Sequence, residues 1–282
     1  MHVFFFFMVL MMSMFVLLVD NIFFWWSVFL IMTLLIVFMN KKFLSYSSIF
    51  NYFVLQESLG LIFLLLYFGG FLPMLIMMIK IGVAPFHFWL FKVIDGMFGF
   101  NLVWFLTIHK LPFLLVFLQL FYLNMVYFLL IGLLVCLFQL FVLKSFKKLL
   151  LVSTVESFSW VVLGLVMSFF NVLYLFFYYL ILMMFLIYKF DKNVGSSGFS
   201  WELVLVFMNM PFSVGFFVKI ILLMEFLKSF GIYMIVIMFL MFLSVLSLSF
   251  WLVILSVKNL LFSKYSVVGM IYSFPLMMVV LL

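Results

Sequence analysis

The chain has 282 residues, of which 72% are hydrophobic and only 7% are charged. Because a soluble domain carries about a quarter charged residues, this composition excludes a soluble enzyme or binding domain and predicts an integral membrane protein. The apolar runs are continuous and roughly 20 residues long, which favours transmembrane helices over the alternating strands of a membrane barrel. We therefore predict an all-α polytopic protein, with residues 1–282 forming a single transmembrane domain.

The charge balance and the single cysteine exclude further classes of function. The net charge is +7 and every basic residue is a lysine, which in so apolar a chain indicates membrane orientation and not nucleic-acid binding. Cys136 is the only cysteine, whereas an iron–sulfur cluster needs about four thiolates. The sequence contains no P-loop and no dinucleotide-binding glycine motif. We therefore expect this chain to bind no cofactor and no metal.

Eleven helices are predicted in chain order from the apolar runs and from the polar, glycine and proline residues between them. The ninth is interrupted at Pro211, and the stretch 189–200 is the one segment that resembles a loop of a soluble protein. The predicted helices cover approximately residues 3–19, 22–39, 49–68, 71–89, 101–121, 125–143, 149–168, 172–188, 201–227, 232–256 and 266–282.

The lysines between the predicted helices fall almost entirely on one side of the membrane. Ten of the 14 follow even-numbered helices, Lys228 falls on the opposite side, and the remaining three lie within helices. Since Lys and Arg are concentrated in the inner loops of membrane proteins, we expect the N-terminus on the inner face, matrix or cytoplasmic. The ten lysines are Lys41, Lys42, Lys92, Lys144, Lys147, Lys148, Lys189, Lys192, Lys258 and Lys264.

The fourth predicted helix carries a lysine near its centre and a proline shortly after it. A charge at that depth is costly, and such residues usually face a protein interior or a water-filled cavity and mark an ion or proton path. Pro85 has no N–H and clashes with the carbonyl of Ile81, so a break or kink is predicted just after Lys80. Gly82 is expected to let another backbone approach closely.

Two more lysines are predicted inside helices, namely Lys110, which is followed by Pro112, and Lys219 in the interrupted ninth helix. Burial disfavours the charged form of lysine, so a lysine within the membrane can exchange a proton near neutral pH. In the alternative interpretation, each lysine is paired with a carboxylate or extends to the membrane interface. Three lysines at matching depth, two of them beside prolines, favour proton transfer.

Three glutamates and two histidines in the predicted helices are further candidates. Glu57, Glu156 and Glu225 are candidate partners or proton relays for the lysines. His87 and His109 raise the alternative of haem ligation, but a b-type haem needs paired histidines at suitable spacing on facing helices. We therefore interpret the two histidines as the lining of a polar cavity.

Five blocks along the chain resemble the motifs of one protein family. Residues 80–89, KIGVAPFHFW, meet the pattern K-x-G-x-A-P-F-H-F-W, and residues 110–112 resemble K-L-A-P. Residues 146–154 resemble L-R-K-I-L-A-Y-S-S, residues 210–219 resemble L-P-P-x-x-G-F-x-x-K, and residues 225–226 match the E-F that follows. In this order, the blocks resemble NADH–ubiquinone oxidoreductase chain 2, the antiporter-like membrane subunit of respiratory complex I. The phenylalanine-rich composition and the short length resemble its nematode mitochondrial members.

The resemblance implies an antiporter-like bundle with broken helices, in which Lys80, Lys110 and Lys219 are the protonatable lysines of a central polar axis. It implies a subunit of NADH:ubiquinone reductase (H+-translocating) in the mitochondrial inner membrane, with the N-terminus toward the matrix. FMN, iron–sulfur clusters and ubiquinone are expected in partner subunits. The expected partners are other membrane-arm and accessory subunits and membrane lipid such as cardiolipin. The residues expected to support the lysines are Glu57, Pro85, His87, His109, Pro112, Lys148, Glu156, Pro211 and Glu225.

One departure from the family pattern concerns the partner of Lys80. The family usually carries a glutamate on the helix that is here the second, paired with the equivalent lysine. Alignment on Trp26 and the lysine pair after that helix puts this position near Phe29 or Leu30, both apolar. We hypothesise that Glu57, on the neighbouring third helix, replaces the missing carboxylate.

Three functions fit these observations to different degrees. The favoured one is a proton-translocating membrane subunit driven by electron transfer in other subunits. The main alternative is a stand-alone cation/proton antiporter, since secondary transporters also use broken helices and buried ionisable groups. The third is a structural scaffold of the membrane arm whose lysines form static ion pairs.

Overall fold

The structure is a computed structural model that describes residues 2–40, 46–97, 99–120, 125–143, 145–167, 176–177, 179–181, 183–184, 187, 199–200, 216, 219–224, 228, 234–257 and 262–263. Helices dominate these residues, and the two strands are short. The helices are α1 (His2–Leu18), α2 (Ile22–Asn40), α3 (Tyr46–Leu66), α4 (Leu72–Ile81), α5 (Phe88–Ile94), α6 (Phe100–Leu106), a 3-10 turn (Ile108–Lys110), α7 (Leu111–Gln119), α8 (Val126–Val142), α9 (Phe146–Met167) and α10 (Met234–Val257). The strands β1 (Phe199–Ser200) and β2 (Phe262–Ser263) pair in parallel.

Four stretches of the described residues are long and apolar enough to cross a membrane, namely Ile22–Asn40, Tyr46–Leu66, Phe100–Gln119 and Lys147–Val166. The chain is therefore a helical, multi-pass membrane protein, as its composition predicts. The total of eleven spans stays a prediction, because the predicted helices at 172–188, 201–227 and 266–282 lie largely outside the described residues.

The predicted fourth helix is broken immediately after Lys80, as its glycine and proline indicate. Gly82 has φ 70°, a left-handed conformation that is costly for residues with a side chain. Its N–H donates to Ile79 O and the N–H of Val83 donates to Met78 O, both at 3.1 Å, which is the hydrogen-bond pair of a glycine-terminated helix. The chain resumes as α5 only after the cis Ala84–Pro85 peptide bond.

The close backbone approach expected at Gly82 occurs at a different glycine. A Cβ at Gly82 would lie 2.6 Å from Cδ1 of Leu90, which is a side-chain atom. A Cβ at Gly132 in α8 would instead overlap the carbonyl oxygen of Ala84 and lie 2.7 Å from the nitrogen of Pro85. The absence of a side chain at Gly132 therefore lets α8 pack directly on the backbone of the break.

The predicted fifth helix is also divided, into α6, the 3-10 turn and α7. Thr107 ends α6 and its hydroxyl donates to Val103 O at 2.7 Å. Pro112 lies in the first turn of α7, where the missing N–H of proline costs no helical hydrogen bond. Pro112 therefore begins a helix, and Lys110 lies at the junction just before it.

The chain forms two compact units, Met1–Gly132 and Leu133–Leu282, and the single transmembrane domain stays a prediction. Within the first unit, α3 packs against α2, α4 and α5, and α7 packs against α1 and α4. One face of α3 is buried and the opposite face is apolar and exposed, as lipid contact requires. The buried face consists of Ser48, Tyr52, Gln56, Gly60 and Phe63.

Candidate functional site

Lys80 is enclosed within the first unit and is only 3% exposed. It lies in the last turn of α4, a helix that packs against α3 and α7. The carbonyl end of a helix carries partial negative charge, which stabilises a nearby cation. The break after Lys80 therefore places this residue in the turn of α4 that carries the partial negative charge.

Aromatic rings from two other helices border the ammonium group of Lys80. The Nζ atom lies 4.5 Å from the ring centroid of Phe29 in α2 and 5.7 Å from that of Phe113 in α7. On the α3 side, a Cβ at Gly60 would lie 3.4 Å from the same Nζ. Among the described residues, no carboxylate lies within ion-pair distance of Lys80.

Glu57 does not contact Lys80 directly but affects it through space. The hydroxyl of Thr33 in α2 donates to Oε1 of Glu57 at 2.5 Å, and Glu57 is half-buried. Its carboxylate is close enough to attract the Lys80 ammonium group electrostatically. Phe29, one of the two residues near which the missing family carboxylate was expected, borders Lys80 with its ring, and Glu57 adds a longer-range attraction.

Two side chains satisfy the backbone carbonyls at the end of α4. Nε2 of Gln56 donates to the carbonyl oxygen of Lys80 at 3.2 Å, and Nε1 of Trp89 donates to that of Ile79 at 2.9 Å. Unpaired backbone groups at membrane depth are costly, so an interrupted helix survives there only when other groups supply the missing hydrogen bonds. Gln56 and Trp89 therefore stabilise the break that positions Lys80.

His109 and Lys110 lie together in the 3-10 turn, where both are almost completely buried. Nε2 of His109 and the hydroxyl of Tyr52 are 2.8 Å apart and share a hydrogen bond. The imidazole also stacks on Phe105 at 5.7 Å and contacts Phe113 edge-on at 5.2 Å. Phe113 therefore separates the polar Tyr52–His109 pair from the ammonium group of Lys80.

Lys219 in the second unit has a direct carboxylate partner. Its Nζ donates to Oε1 of Glu156 at 2.7 Å and to the hydroxyl of Ser244 at 3.2 Å. The same Oε1 atom accepts a hydrogen bond from Nε1 of Trp160 at 2.7 Å, and the Trp160 ring lies 5.7 Å from Nζ. Lys219 and Glu156 are both buried, so this is an ion pair largely shielded from water.

The remaining sequence candidates fall in different places. His87 is buried at the start of α5, with its ring stacked on Phe88 at 5.0 Å. Lys148 is half-buried in the first turn of α9. Pro211 and Glu225 lie outside the described residues, so the predicted interruption of the ninth helix and a partnership between Glu225 and Lys219 both stay predictions.

Several residues of these sites were not predicted from the sequence. Tyr52, Gln56 and Gly60 belong to the buried face of α3 and follow one another at intervals of four residues. Residues at that spacing share one helix face, and polar or small residues on one face of an apolar helix mark a contact with other helices. The signal was therefore present in the sequence. Thr33 and Gly132 carry no such local signal.

Comparison with known proteins gives two close relatives from nematodes. The chain is similar to NADH-ubiquinone oxidoreductase chain 2 of Caenorhabditis elegans, with 54% identity over 229 residues, covering 81% of each chain. It is also similar to NADH-ubiquinone oxidoreductase chain 2 of Ascaris suum, with 49% identity over 232 residues, which are 82% of this chain and 76% of that protein. No protein-family model matches the chain.

Proposed function

Because the chain belongs to the family of NADH-ubiquinone oxidoreductase chain 2, we propose that it is a core membrane-arm subunit of the proton-translocating NADH:ubiquinone oxidoreductase. The observation that carries this proposal is the burial of three lysines within an apolar, multi-pass chain. Lys80, Lys110 and Lys219 are each only 3% exposed. Buried cations at membrane depth are costly and usually serve an ion or proton path.

The surroundings of the lysines support a role in moving protons. Lys80 and Lys110 both lie where a helix is interrupted, so a small backbone movement there can change their access to water. The Tyr52–His109 pair can take part in proton transfer beside Lys110, because both of its groups can donate and accept hydrogen bonds. Conformational changes driven by electron transfer elsewhere in the complex then alternate the charge on these lysines.

The acidic residues set the charge balance of this path. Glu156 holds Lys219 in a direct ion pair, which separates only when a proton or another cation compensates the buried carboxylate. Glu57 attracts Lys80 from a distance while bonded to Thr33. In this proposal, Glu57 supplies the negative charge that the family's glutamate would supply. The ring of Phe29 occupies the place of that glutamate beside Lys80.

Redox chemistry belongs to partner subunits in this proposal. The chain has one cysteine, too few to hold an iron–sulfur cluster, and the proposal places FMN, iron–sulfur clusters and ubiquinone in partner subunits. The proposed location is the inner mitochondrial membrane, with eleven spans and the N-terminus in the matrix, because the lysines of the sequence lie predominantly on that side. Anionic lipid such as cardiolipin is a further proposed partner of that lysine-rich side.

Replacement of Lys110 by methionine tests the proposal. Methionine keeps most of the length of the side chain and removes its charge, so the Lys110→Met complex should assemble and oxidise NADH but translocate fewer protons per NADH. The ratio is measured with purified complex in sealed liposomes. The control is Lys92→Met, because Lys92 is exposed and its variant should keep the normal ratio. A normal ratio in Lys110→Met contradicts the proposal.

Membership of the complex is tested separately from pumping. Source membranes are separated on a native gel, stained for NADH dehydrogenase activity, and the active band is analysed by mass spectrometry. Peptides of this chain should be found in the large active band. Their presence only in a small inactive species contradicts the proposal and favours a stand-alone antiporter.

A further inference from the structure

Within the described part of the chain, the positive charge of Lys80 is not compensated by an ion pair, as the charge of a buried lysine usually is. Buried charges in proteins are usually paired with an opposite charge, because removal from water is otherwise too costly. The Lys80 ammonium group has no carboxylate at ion-pair distance among the described residues. The ring of Phe29 lies beside it, with its centroid 4.5 Å from Nζ. This distance is within the roughly 6 Å over which a ring face attracts a cation.

Neighbouring rings hold Phe29 in this orientation. Its side chain is 1% exposed, its ring stacks on Phe113 at 5.2 Å with an interplanar angle of 25°, and it meets Phe63 edge-on at 5.4 Å. Because Phe113 also borders Nζ, at 5.7 Å, the two stacked rings form one aromatic wall beside the ammonium group. The ring of Phe29 therefore cannot turn away without disturbing both neighbours.

Among the described residues, the acidic group that acts on Lys80 is Glu57, and its carboxylate is held by a different residue. Oε1 of Glu57 accepts the hydrogen bond of Thr33, and Glu57 makes no ion pair with Lys80 among the described residues. The carboxylate is thus retained in the neighbourhood, where it attracts the ammonium group at longer range. Lys80 is consequently in direct contact with aromatic rings and only indirectly balanced by a negative charge.

We propose that Phe29 is a positioning residue for Lys80, whose ring face holds the ammonium group where a carboxylate would otherwise stand. The inference rests on the proposed function of the chain in proton translocation. A ring face stabilises the charged lysine but carries no net charge itself. When Lys80 loses its proton, no buried carboxylate is left at the contact without a counter-ion. The Phe29 ring therefore allows proton release with a smaller electrostatic cost than an ion pair of the kind seen at Lys219.

The experiment compares two phenylalanines that touch each other but differ in their contact with Lys80. Phe29→Leu removes the ring face beside the ammonium group, whereas Phe63→Leu removes an equally buried ring for which no contact with Nζ is found. Protons translocated per NADH are measured with purified complex in liposomes. We expect a large loss in Phe29→Leu, a clearly smaller loss in Phe63→Leu, which only loosens the packing around Phe29, and retention in Phe29→Tyr, which keeps the ring. Phe29→Met is the second ringless variant if the leucine variant does not assemble.

A double variant shows whether Phe29 acts through Lys80. In the Lys80→Met background, the added Phe29→Leu change should cause no further loss, because the two residues act as one unit. A normal ratio in both ringless Phe29 variants, an equal loss in Phe63→Leu, or an additive loss in the double variant overturns this inference alone. A normal ratio in Lys80→Met itself overturns the role of Lys80 in the proposed function, and the inference with it.

Discussion

Lys219 and Lys80 are equally buried, yet their charges are compensated by different chemistry. Lys219 donates to a carboxylate oxygen of Glu156 at 2.7 Å, and that oxygen also accepts a hydrogen bond from Trp160. Lys80 instead lies 4.5 Å from the ring centroid of Phe29, and the nearby Glu57 is bonded to Thr33. The first arrangement is a pair of full charges, whereas the second combines a cation, a polarised ring and a more distant anion.

The difference indicates how easily each lysine changes its charge. Removing one partner of a buried ion pair leaves the other partner as an uncompensated charge, which is strongly unfavourable. Removing a proton from a lysine beside a ring leaves two neutral groups. We therefore expect Lys219 and Glu156 to change charge together, and Lys80 to change charge more independently. The predictions below test this contrast.

The largest expected effect is the loss of the carboxylate at Glu156. Glu156→Gln removes the carboxylate that pairs with Lys219 among the described residues, and removing one member of a buried pair typically costs about 3–5 kcal/mol. We expect a clear drop in the thermal denaturation midpoint of the purified complex and less assembled complex in membranes. Native gels and thermal denaturation measure both effects.

A double variant serves as the control for this prediction. Glu156→Gln combined with Lys219→Met removes both charges, so much of the lost stability should return. Lys219→Met can be measured both in the unchanged protein and in the Glu156→Gln variant. If it lowers stability by the same amount in both, the two side chains contribute to stability independently. That result contradicts the ion pair as the basis of the Lys219 site.

The second prediction concerns the backbone that holds the break after Lys80. Gly132→Ala places a methyl group on the carbonyl of Ala84 and the nitrogen of Pro85, and forcing extra atoms into a packed interior typically costs about 1–3 kcal/mol. Helix propensity alone predicts the opposite sign, because alanine is favoured over glycine by about 1 kcal/mol within a helix. Thermal denaturation of the purified complex should therefore show destabilisation.

The matched control is the same substitution beside the ammonium group itself. In Gly60→Ala the new methyl group lies 3.4 Å from Nζ of Lys80, the end of a flexible side chain that can adjust. The variant should be much closer in stability to the unchanged protein. Equal stability of Gly132→Ala and Gly60→Ala would show that α8 does not support the break.

The smallest expected change in stability is that of Glu57→Gln. Glutamine can still accept the hydrogen bond of Thr33, and a single hydrogen bond contributes about 0.5–1.5 kcal/mol, so the loss should be well below that of Glu156→Gln. Because the substitution removes the negative charge that acts on Lys80, proton translocation should fall more than NADH oxidation. An unchanged number of protons per NADH would remove Glu57 from the path.

The break after Lys80 could be predicted from the sequence because its causes are local. Gly82 supplies the left-handed residue and Pro85 lacks an N–H, and both properties belong to the residue types themselves. The burial of the lysines was also predictable, since a charged residue within a long apolar run almost always faces the protein interior or a water-filled cavity. Glu156 could be named as a candidate partner but not as the partner of Lys219, because that contact joins residues far apart in sequence.

The aromatic contacts of Lys80 could not be predicted in the same way. Phenylalanine is the commonest aromatic residue of the chain, with 47 of 282 residues, so neither Phe29 nor Phe113 is distinctive in its own helix. Their role depends on how α2, α4 and α7 pack. The sequence pointed to Phe29 or Leu30 only as the site of a missing glutamate, and the three-dimensional packing shows that the ring of Phe29 faces the lysine.

The most direct test of the account is the number of protons translocated per NADH by complex that carries Lys80→Met. The purified complex is reconstituted into sealed liposomes, and proton uptake and NADH oxidation are recorded together. If Lys80 carries protons, the ratio falls while the complex remains assembled and oxidises NADH. An unchanged ratio in fully assembled complex would mean that Lys80 is a structural cation, and it would contradict the account.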